Sequence, residues 1–231
     1  MSRILETIRS SETDMWEILQ RSGLSGAGGG GFPTYAKWRS LADVDRLLVN
    51  HQESEPNCYV DKWIGREHAD ALAELFEALL AGPLESVVIG AKHSDRDPWL
   101  RPLEEATDAT VYTPAELPID PSSTAGVVVA YTHDTYEYGM ENVLLQQTTG
   151  TVIGKDLPVD YGWIVQNTET MYNVWRALAL GEPVLREFVH IDGFQANGDR
   201  LPHRLFDVPV GTPAATLLDA VGVDPGGLAE D

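Results

Sequence analysis

Five short apolar runs, spaced so that helical segments fit between them, constrain this chain more than any other feature. They are Arg46–Asn50 (RLLVN), Ser86–Lys92 (SVVIGAK), Ala109–Tyr112, Gly126–Tyr131 (GVVVAY) and Trp163–Asn167 (WIVQN), and each reads as a strand. Helical patterns surround them. Thr13–Arg21 places Met15, Ile18 and Leu19 on one face, with Gly23 as a stop. Arg66–Leu80 is rich in alanine and leucine and is closed by Ala81–Pro83. Pro98–Thr107, Val143–Gln147 and Thr168–Leu180, the last stopped by Gly181, complete the set. Strands alternating with helices predict a three-layer α/β domain with a parallel sheet. Ligands of such sheets gather at the carboxyl ends of the strands, where Asn50, Tyr131 and Asn167 stand.

The pattern changes after Pro183. EFVHIDGF and RLPHRLFDVPV read as two strands flanking Ala196-Asn197-Gly198-Asp199, whose Asn-Gly pair is a hairpin signal, and a short helix over Ala214–Ala220 follows. Two strands and a helix bury too little to fold alone, so this piece must pack on the main domain or on a partner. The expected division is residues 1–184 and residues 185–231.

The stretch most informative about function is RSGLSGAGGGGFPTYAKW, Arg21 to Trp38. Glycines let a ligand lie directly on main-chain N–H groups. Phe32 offers an apolar wall, and Lys37 a point charge suited to phosphate. On composition alone the run also suits a flexible linker. A preceding helical pattern, and a lysine and tryptophan after the glycines, favour a phosphate-cradling loop. The chain has only four lysines, which makes Lys37 beside the glycines less of an accident.

The composition bounds the rest. With 231 residues and 43% hydrophobic side chains the chain is globular, large enough for one substantial core. Sixteen Lys+Arg against 36 Asp+Glu give a net charge of −20, a surface that repels nucleic acid and anionic lipid. Together with the scarce lysines, this balance predicts adaptation to high salt, and every charged side chain from Asp207 to Asp231 is acidic. No apolar run approaches the roughly 20 residues that span a bilayer, and the N-terminus lacks the apolar centre of a secretory signal. A cytoplasmic protein, with a peripheral place on a membrane complex open to it, is expected. The single cysteine, Cys58, cannot build a zinc or iron–sulfur cluster within one chain and reads as a small buried filler. The histidine spacing argues for no metal site.

Three further constellations carry chemistry. In NHQESEPNCYVDK, Asn50 to Lys62, Glu53 and Glu55 lie two apart in a turn stiffened by Pro56. Such carboxylates suit ribityl hydroxyls, a nicotinamide amide or a general base, and equally an acidic solvated loop. In EYGMENVLLQQTTG, Gly139 allows close approach of a ligand and Glu141 sits in the first helical turn, where a glutamate is also good helix chemistry. In VQNTET, Asn167 or Thr168 can cap the next helix, or Gln166 and Asn167 can hydrogen-bond a heterocycle.

Taken in order, these motifs resemble the FMN-binding subunit of respiratory complex I that oxidises NADH. They also resemble the Rnf-complex protein of the same type and its cobalamin-reducing relatives. The resemblance runs from about Arg21 to the C-terminus and implies a three-layer Rossmann-like FMN-binding domain. It assigns the FMN phosphate to Gly26, Gly28, Gly29, Gly31 and Lys37. It assigns ribityl, flavin ring and nicotinamide contacts to Asn50, Glu53 and Glu55, and further cofactor contacts to Tyr138, Gly139, Glu141, Gln166 and Asn167. Phe32 and Glu55 would face NADH, with Glu55 positioning the nicotinamide. Glu187 to Ala220 resembles the opening of a β-grasp domain that breaks off early. The complex I protein has arginine where this chain has Ala27, aspartate at Gln52 and glutamate at Met140. The cysteine-rich iron–sulfur domain of the family has no counterpart in this sequence, so no iron–sulfur cluster is expected in the chain.

These readings converge on a flavoprotein that takes a hydride from NADH onto FMN and hands electrons to a separate iron–sulfur or other redox protein, or to a diffusible acceptor. Two alternatives stay open: a non-catalytic binding or assembly subunit that keeps the fold, and an enzyme of nucleotide-sugar or phosphate-metabolite chemistry.

Overall fold

The structure, a computed structural model, describes residues 3–10, 12–195 and 197–223. Ala196 of the expected turn and the last acidic residues, 224–231, lie outside these. The chain opens with α1 (Arg3–Ser10), α2 (Glu12–Arg21) and, past the glycine run, α3 (Thr34–Trp38). The strand β1 (Arg46–His51) then leads to α4 (Val60–Glu67), α5 (Ala69–Leu80) and β2 (Ser86–Lys92). Next come α6 (Arg101–Ala106), β3 (Thr110–Tyr112), β4 (Gly126–Thr132), α7 (Glu141–Thr149), β5 (Trp163–Asn167) and α8 (Thr168–Trp175). A hairpin of β6 (Arg186–Ile191) and β7 (Arg204–Pro209) follows, then α9 (Ala214–Ala220).

Strands β1 to β5 form one sheet in the order β3-β4-β2-β1-β5, with every pairing parallel. Successive side chains of a strand point to opposite faces, and here both faces are covered. Leu47 and Val49 of β1, Val87 and Ile89 of β2, and Val127 and Val129 of β4 pack with Met15, Leu19, Leu72, Phe76, Leu103 and Met171 of the helices. Leu48, Val88, Val128 and Val165 point the other way, onto Leu144 and Leu145 of α7. The expected three-layer α/β architecture is the one observed. Register pairs Asn50 of β1 with Asn167 of β5, so two polar residues stand side by side at the carboxyl end of the sheet.

Several elements differ from their sequence reading. The helix expected over Arg66–Leu80 is two: α4 ends at Glu67 and α5 restarts at Ala69, with His68 at φ −121° between them. The expected Pro98–Thr107 helix begins as a π-helical turn over Arg96–Leu100 and continues as α6. The expected Thr168–Leu180 helix gives way at Arg176 to another π turn, which Gly181 ends at φ +70°. Helix α7 is longer than Val143–Gln147 by two residues at each end. Tyr131 does not face a ligand site. It points into the core, where its hydroxyl donates to Glu104 at 2.6 Å, and burial followed by that bond raises its pKa.

The hairpin docks on the main sheet's helices through aromatic side chains. Phe188 of β6 meets Trp63 and Tyr172, and His203 meets Tyr59 edge-on at 4.6 Å. Cys58 is half-buried at this junction, its Sγ 3.6 Å from His190 Nε2, rather than a fully buried filler. Among the described residues no helix is long and apolar enough to cross a membrane, and no group of three or more His, Cys, Asp or Glu side chains is placed to hold a metal ion.

Candidate functional site

The glycine run is a tight excursion with a fastened base. The Gly26 N–H donates to the Phe32 carbonyl at 2.8 Å, the Thr34 N–H donates to the Leu24 carbonyl at 3.1 Å, and Ser25 bridges Pro33. Gly29 and Gly31 adopt φ of +91° and +58°, a region that side chains disfavour. The N–H groups of Gly28 to Gly30 make no backbone hydrogen bond of good geometry among the described residues. The Ala27 N–H donates to Thr170 Oγ1 of α8 at 2.9 Å, tying the loop to the element after β5. A Cβ on Gly28 would come 3.3 Å from the Cβ of Asn167, so the loop lies directly on that side chain.

A cleft of about 510 Å³ opens under this loop at the carboxyl ends of β1 and β5. That volume falls in the usual range for small-molecule and cofactor sites, ~300–1,000 Å³. Of the residues singled out from the sequence, Gly26, Gly28, Gly31, Phe32, Lys37, Asn50, Gly139, Glu141, Gln166 and Asn167 line it together. They come from four segments far apart in the chain. Gly29 belongs to the same loop but does not line the cleft.

Lys37 is the one cation among the lining residues. Its Nζ donates to Glu141 Oε2 at 3.0 Å and to the Val165 carbonyl at 2.9 Å, and it stands 5.9 Å from the centre of the Phe32 ring. Phe32 is 52% exposed, an apolar wall at the mouth. Gln166 is buried, and its Nε2 has no partner among the described residues. An amide N–H held in that state is costly until an acceptor reaches it.

The two asparagines hold the surrounding backbone in place. Asn50 Nδ2 donates to the Gly139 carbonyl at 2.8 Å, and its Oδ1 accepts from the Gln52 N–H at 3.0 Å. It thereby clamps the turn before α7, where a Cβ on Gly139 would strike Ser54 Oγ at 2.6 Å. Asn167 caps α8 by accepting from the Thr170 N–H at 3.1 Å, an interaction worth about 1 kcal/mol in typical helices. Its Nδ2 donates to Asp61 Oδ2 at 2.7 Å. Tyr138 packs against the α7 side of the core and does not line the cleft.

Glu53 and Glu55 lie elsewhere. Both line a second depression of about 620 Å³, with Cys58, Tyr59, Lys62, Lys92, Trp99 and His203 among its walls. Glu53 accepts from the Val60 N–H at 2.7 Å and the Lys62 N–H at 3.3 Å, and so caps α4. Burial raises its pKa. Glu55 is exposed and accepts from the Tyr136 hydroxyl at 2.8 Å. The turn Asn50–Glu55 separates the two depressions, Asn50 facing the first and Glu53 the second.

Sequence reasoning missed the layer beneath the cleft. Asp61, Glu169 and Thr170 are all buried close to the floor. Burial, followed by the charge of Glu53, raises Asp61 to about 7; burial, followed by Asp61, raises Glu169 to about 8. His51 is the counterpart among bases, lowered to about 3 by burial and then by Lys62. In so acidic a chain composition does not distinguish Asp61 from a surface carboxylate. The available signal is the apolar spacing of α4, which turns Asp61 and Ile64 to the same buried face.

Comparison with known proteins gives a consistent picture. The profile of a family described as the Nuo51 FMN-binding domain matches residues 19–176. The C-type protein of the ion-translocating oxidoreductase complex of Vibrio cholerae is 29% identical over 211 residues, covering 89% of this chain and 24% of the relative. The cobalamin reductase PduS of Citrobacter freundii is 29% identical over 208 residues, covering 89% of this chain and 41% of the relative. Among solved structures, a chain of an NAD+-reducing NiFe-hydrogenase in its H2-reduced state superposes with a TM-score of 0.70 over 94% of this chain and 40% of its own, at 19% identity. This chain therefore spans less than half the length of these relatives.

Proposed function

The chain belongs to the Nuo51 FMN-binding domain family, whose relatives are electron-transfer proteins, and from that premise we propose that its glycine-lined cleft binds FMN and accepts electrons from NADH. The observation that carries the reading is the cleft itself. Glycine amides and Lys37 line it together, and so does Gln166, whose buried Nε2 is unpaired. The residues fit the cofactor. The amides and lysine suit a phosphate, Gln166 offers a donor to a flavin carbonyl or ring nitrogen, and Phe32 supplies an apolar wall where a nicotinamide donor would lie. Bound there, FMN would supply the step from two-electron to one-electron chemistry.

The protein's own residues hold and orient. Lys37 exchanges part of its pairing with Glu141 for the phosphate. Asn50 holds the Gly139 turn in place at the wall of the cleft. Glu55 pairs with Tyr136 outside the cleft, so its orienting a nicotinamide amide, without abstracting a proton, requires the Asn50–Glu55 turn to move toward the Phe32 side. Electrons then pass to a separate iron–sulfur or other redox protein, or to a diffusible acceptor. That reading is supported by relatives that are subunits of an ion-translocating oxidoreductase complex. Residues 1–184 would form the FMN-binding unit and residues 185–231 the opening of a β-grasp module. A cytoplasmic setting, and an organism adapted to salt, agree with the net charge of −20. The pairing of Lys37 with Glu141, and the placement of Glu53 and Glu55 outside the cleft, favour a second reading in which the protein binds without turnover.

The site is tested by FMN titration of Lys37→Ala beside Lys155→Ala, which removes an exposed lysine that does not line the cleft. The Lys37 variant should bind FMN about tenfold or more weakly, in line with loss of a charge-assisted contact, ~1.5–3 kcal/mol. Equal affinities for the two variants would remove the phosphate assignment.

A further inference from the structure

One carboxylate beneath the cleft joins the end of β5, the first turn of α8 and, through them, the glycine loop. Asp61 is 7% exposed in the first turn of α4. Its two oxygens accept from different donors: Oδ2 from Asn167 Nδ2 at 2.7 Å, and Oδ1 from the Glu169 N–H at 3.0 Å. Asn167 then accepts from the Thr170 N–H, and Thr170 Oγ1 accepts from the Ala27 N–H at 2.9 Å. The Asn167 side chain is also the surface against which Gly28 rests. A displacement at Asp61 therefore reaches the phosphate end of the cleft through two contacts.

We propose that Asp61 is a positioning residue for the cofactor, and that its ionised carboxylate is what locks Asn167 and the start of α8 under the glycine loop. The proposal rests on the FMN reading of the cleft. The chemistry requires a double acceptor. An asparagine at this position has one acceptor oxygen, so its amide group would face either Asn167 Nδ2 or the Glu169 N–H, donor against donor. A protonated aspartic acid is weakened in the same sense, because its hydroxyl oxygen, a poorer acceptor than a carboxylate oxygen, faces one of the two donors. The carboxylate offers a full acceptor to each.

The groups around Asp61 hold that ionisation in a measurable range. Glu53 and Cys58 face it from the turn after β1, Lys62 from α4, and Glu169 from α8, with Glu187 of β6 beyond Glu169. Burial and Glu53 together place its titration at about 7.

The test measures FMN affinity by flavin fluorescence for the wild-type protein and Asp61→Asn, from about pH 5.5 to about pH 8.5. At the alkaline end the variant should bind at least tenfold more weakly. The gap should close as pH falls, because protonated Asp61 and asparagine share one deficit. The phosphate of FMN titrates near pH 6 in both experiments and cancels in the ratio. A ratio that stays constant with pH, or equals one throughout, overturns the proposal. Should Asp61→Asn fail to fold, Asn167→Ala removes one donor and leaves the carboxylate. It must also weaken FMN binding, and unchanged affinity there overturns the proposal too. Failure of the wild-type protein to bind FMN at any pH overturns the cofactor reading, and the proposal with it.

Discussion

Glu169 is a carboxylate whose folded environment works against its charge. Burial raises it to about 8, with Asp61, Glu187 and Glu53 adding repulsion. A carboxyl raised in the folded state binds its proton more tightly there than in the unfolded chain. Its contribution to stability is therefore complete in acid and is lost as pH rises through the window from the unfolded value, 4.5, to about 8. Glu169→Gln removes that loss while keeping an oxygen for the Phe188 N–H. Thermal melts should show the variant matching wild type near pH 5 and exceeding it by several degrees above pH 8, at roughly 2–4 °C per kcal/mol for a chain of this size. An equal difference at both pH values would refute the buried-charge account. His51 titrates with the opposite sign: lowered to about 3, it costs stability only as pH falls below its unfolded value, 6.5. The two effects overlap between pH 4.5 and 6.5, and above 6.5 the Glu169 effect stands alone. Lys37 and Gln166 show why such residues are legible only in part. Lys37 follows from scarcity and spacing, whereas the unpaired state of Gln166 depends on a cleft that exists only after β5 has paired with β1.

Among the elements, strands are the most legible. SVVIGAK is β2 residue for residue and WIVQN is β5, because a strand buried on both faces reads as a near-continuous apolar run, with polar residues gathered toward its ends. Helix boundaries are less so. Nothing in REHADALAELFEALL marks the break at His68, which tertiary packing imposes: the imidazole stacks on Tyr172 at 4.3 Å and meets Trp63 at 5.0 Å. The short helices α1 and α3 escape a sequence reading because eight and five residues fall short of the roughly 11–18 over which helical periodicity is read, even though Ile4 and Ile8 of α1 share a buried face. The glycine loop is legible as a loop, and its flanks point to a fastened structure. Its fastening to α8 through Thr170 is not, since Ala27 and Thr170 stand 143 apart in sequence. Glu53 and Glu55 read as cofactor contacts from a motif. In the structure Glu53 caps α4, a role that sequence spacing alone does not separate from ligand binding.

At the scale of the whole molecule, charge dominates. A net charge of −20 on 231 residues opposes compaction, and salt screens it: the Debye length falls from about 10 Å at 0.1 M to about 3 Å at 1 M. The melting temperature should rise as sodium chloride increases from about 0.1 M toward 1 M and beyond, although the exposed ion pairs weaken over the same range. A melting temperature that falls with salt would argue against salt adaptation. On the reading given above, this fold carries FMN as a working redox group. It is tested most directly by an anaerobic visible spectrum, taken after FMN reconstitution in high salt and removal of free flavin, before and after NADH. Flavin bands that stay with the protein and bleach on NADH are the predicted result; flavin that separates completely from the protein would contradict it.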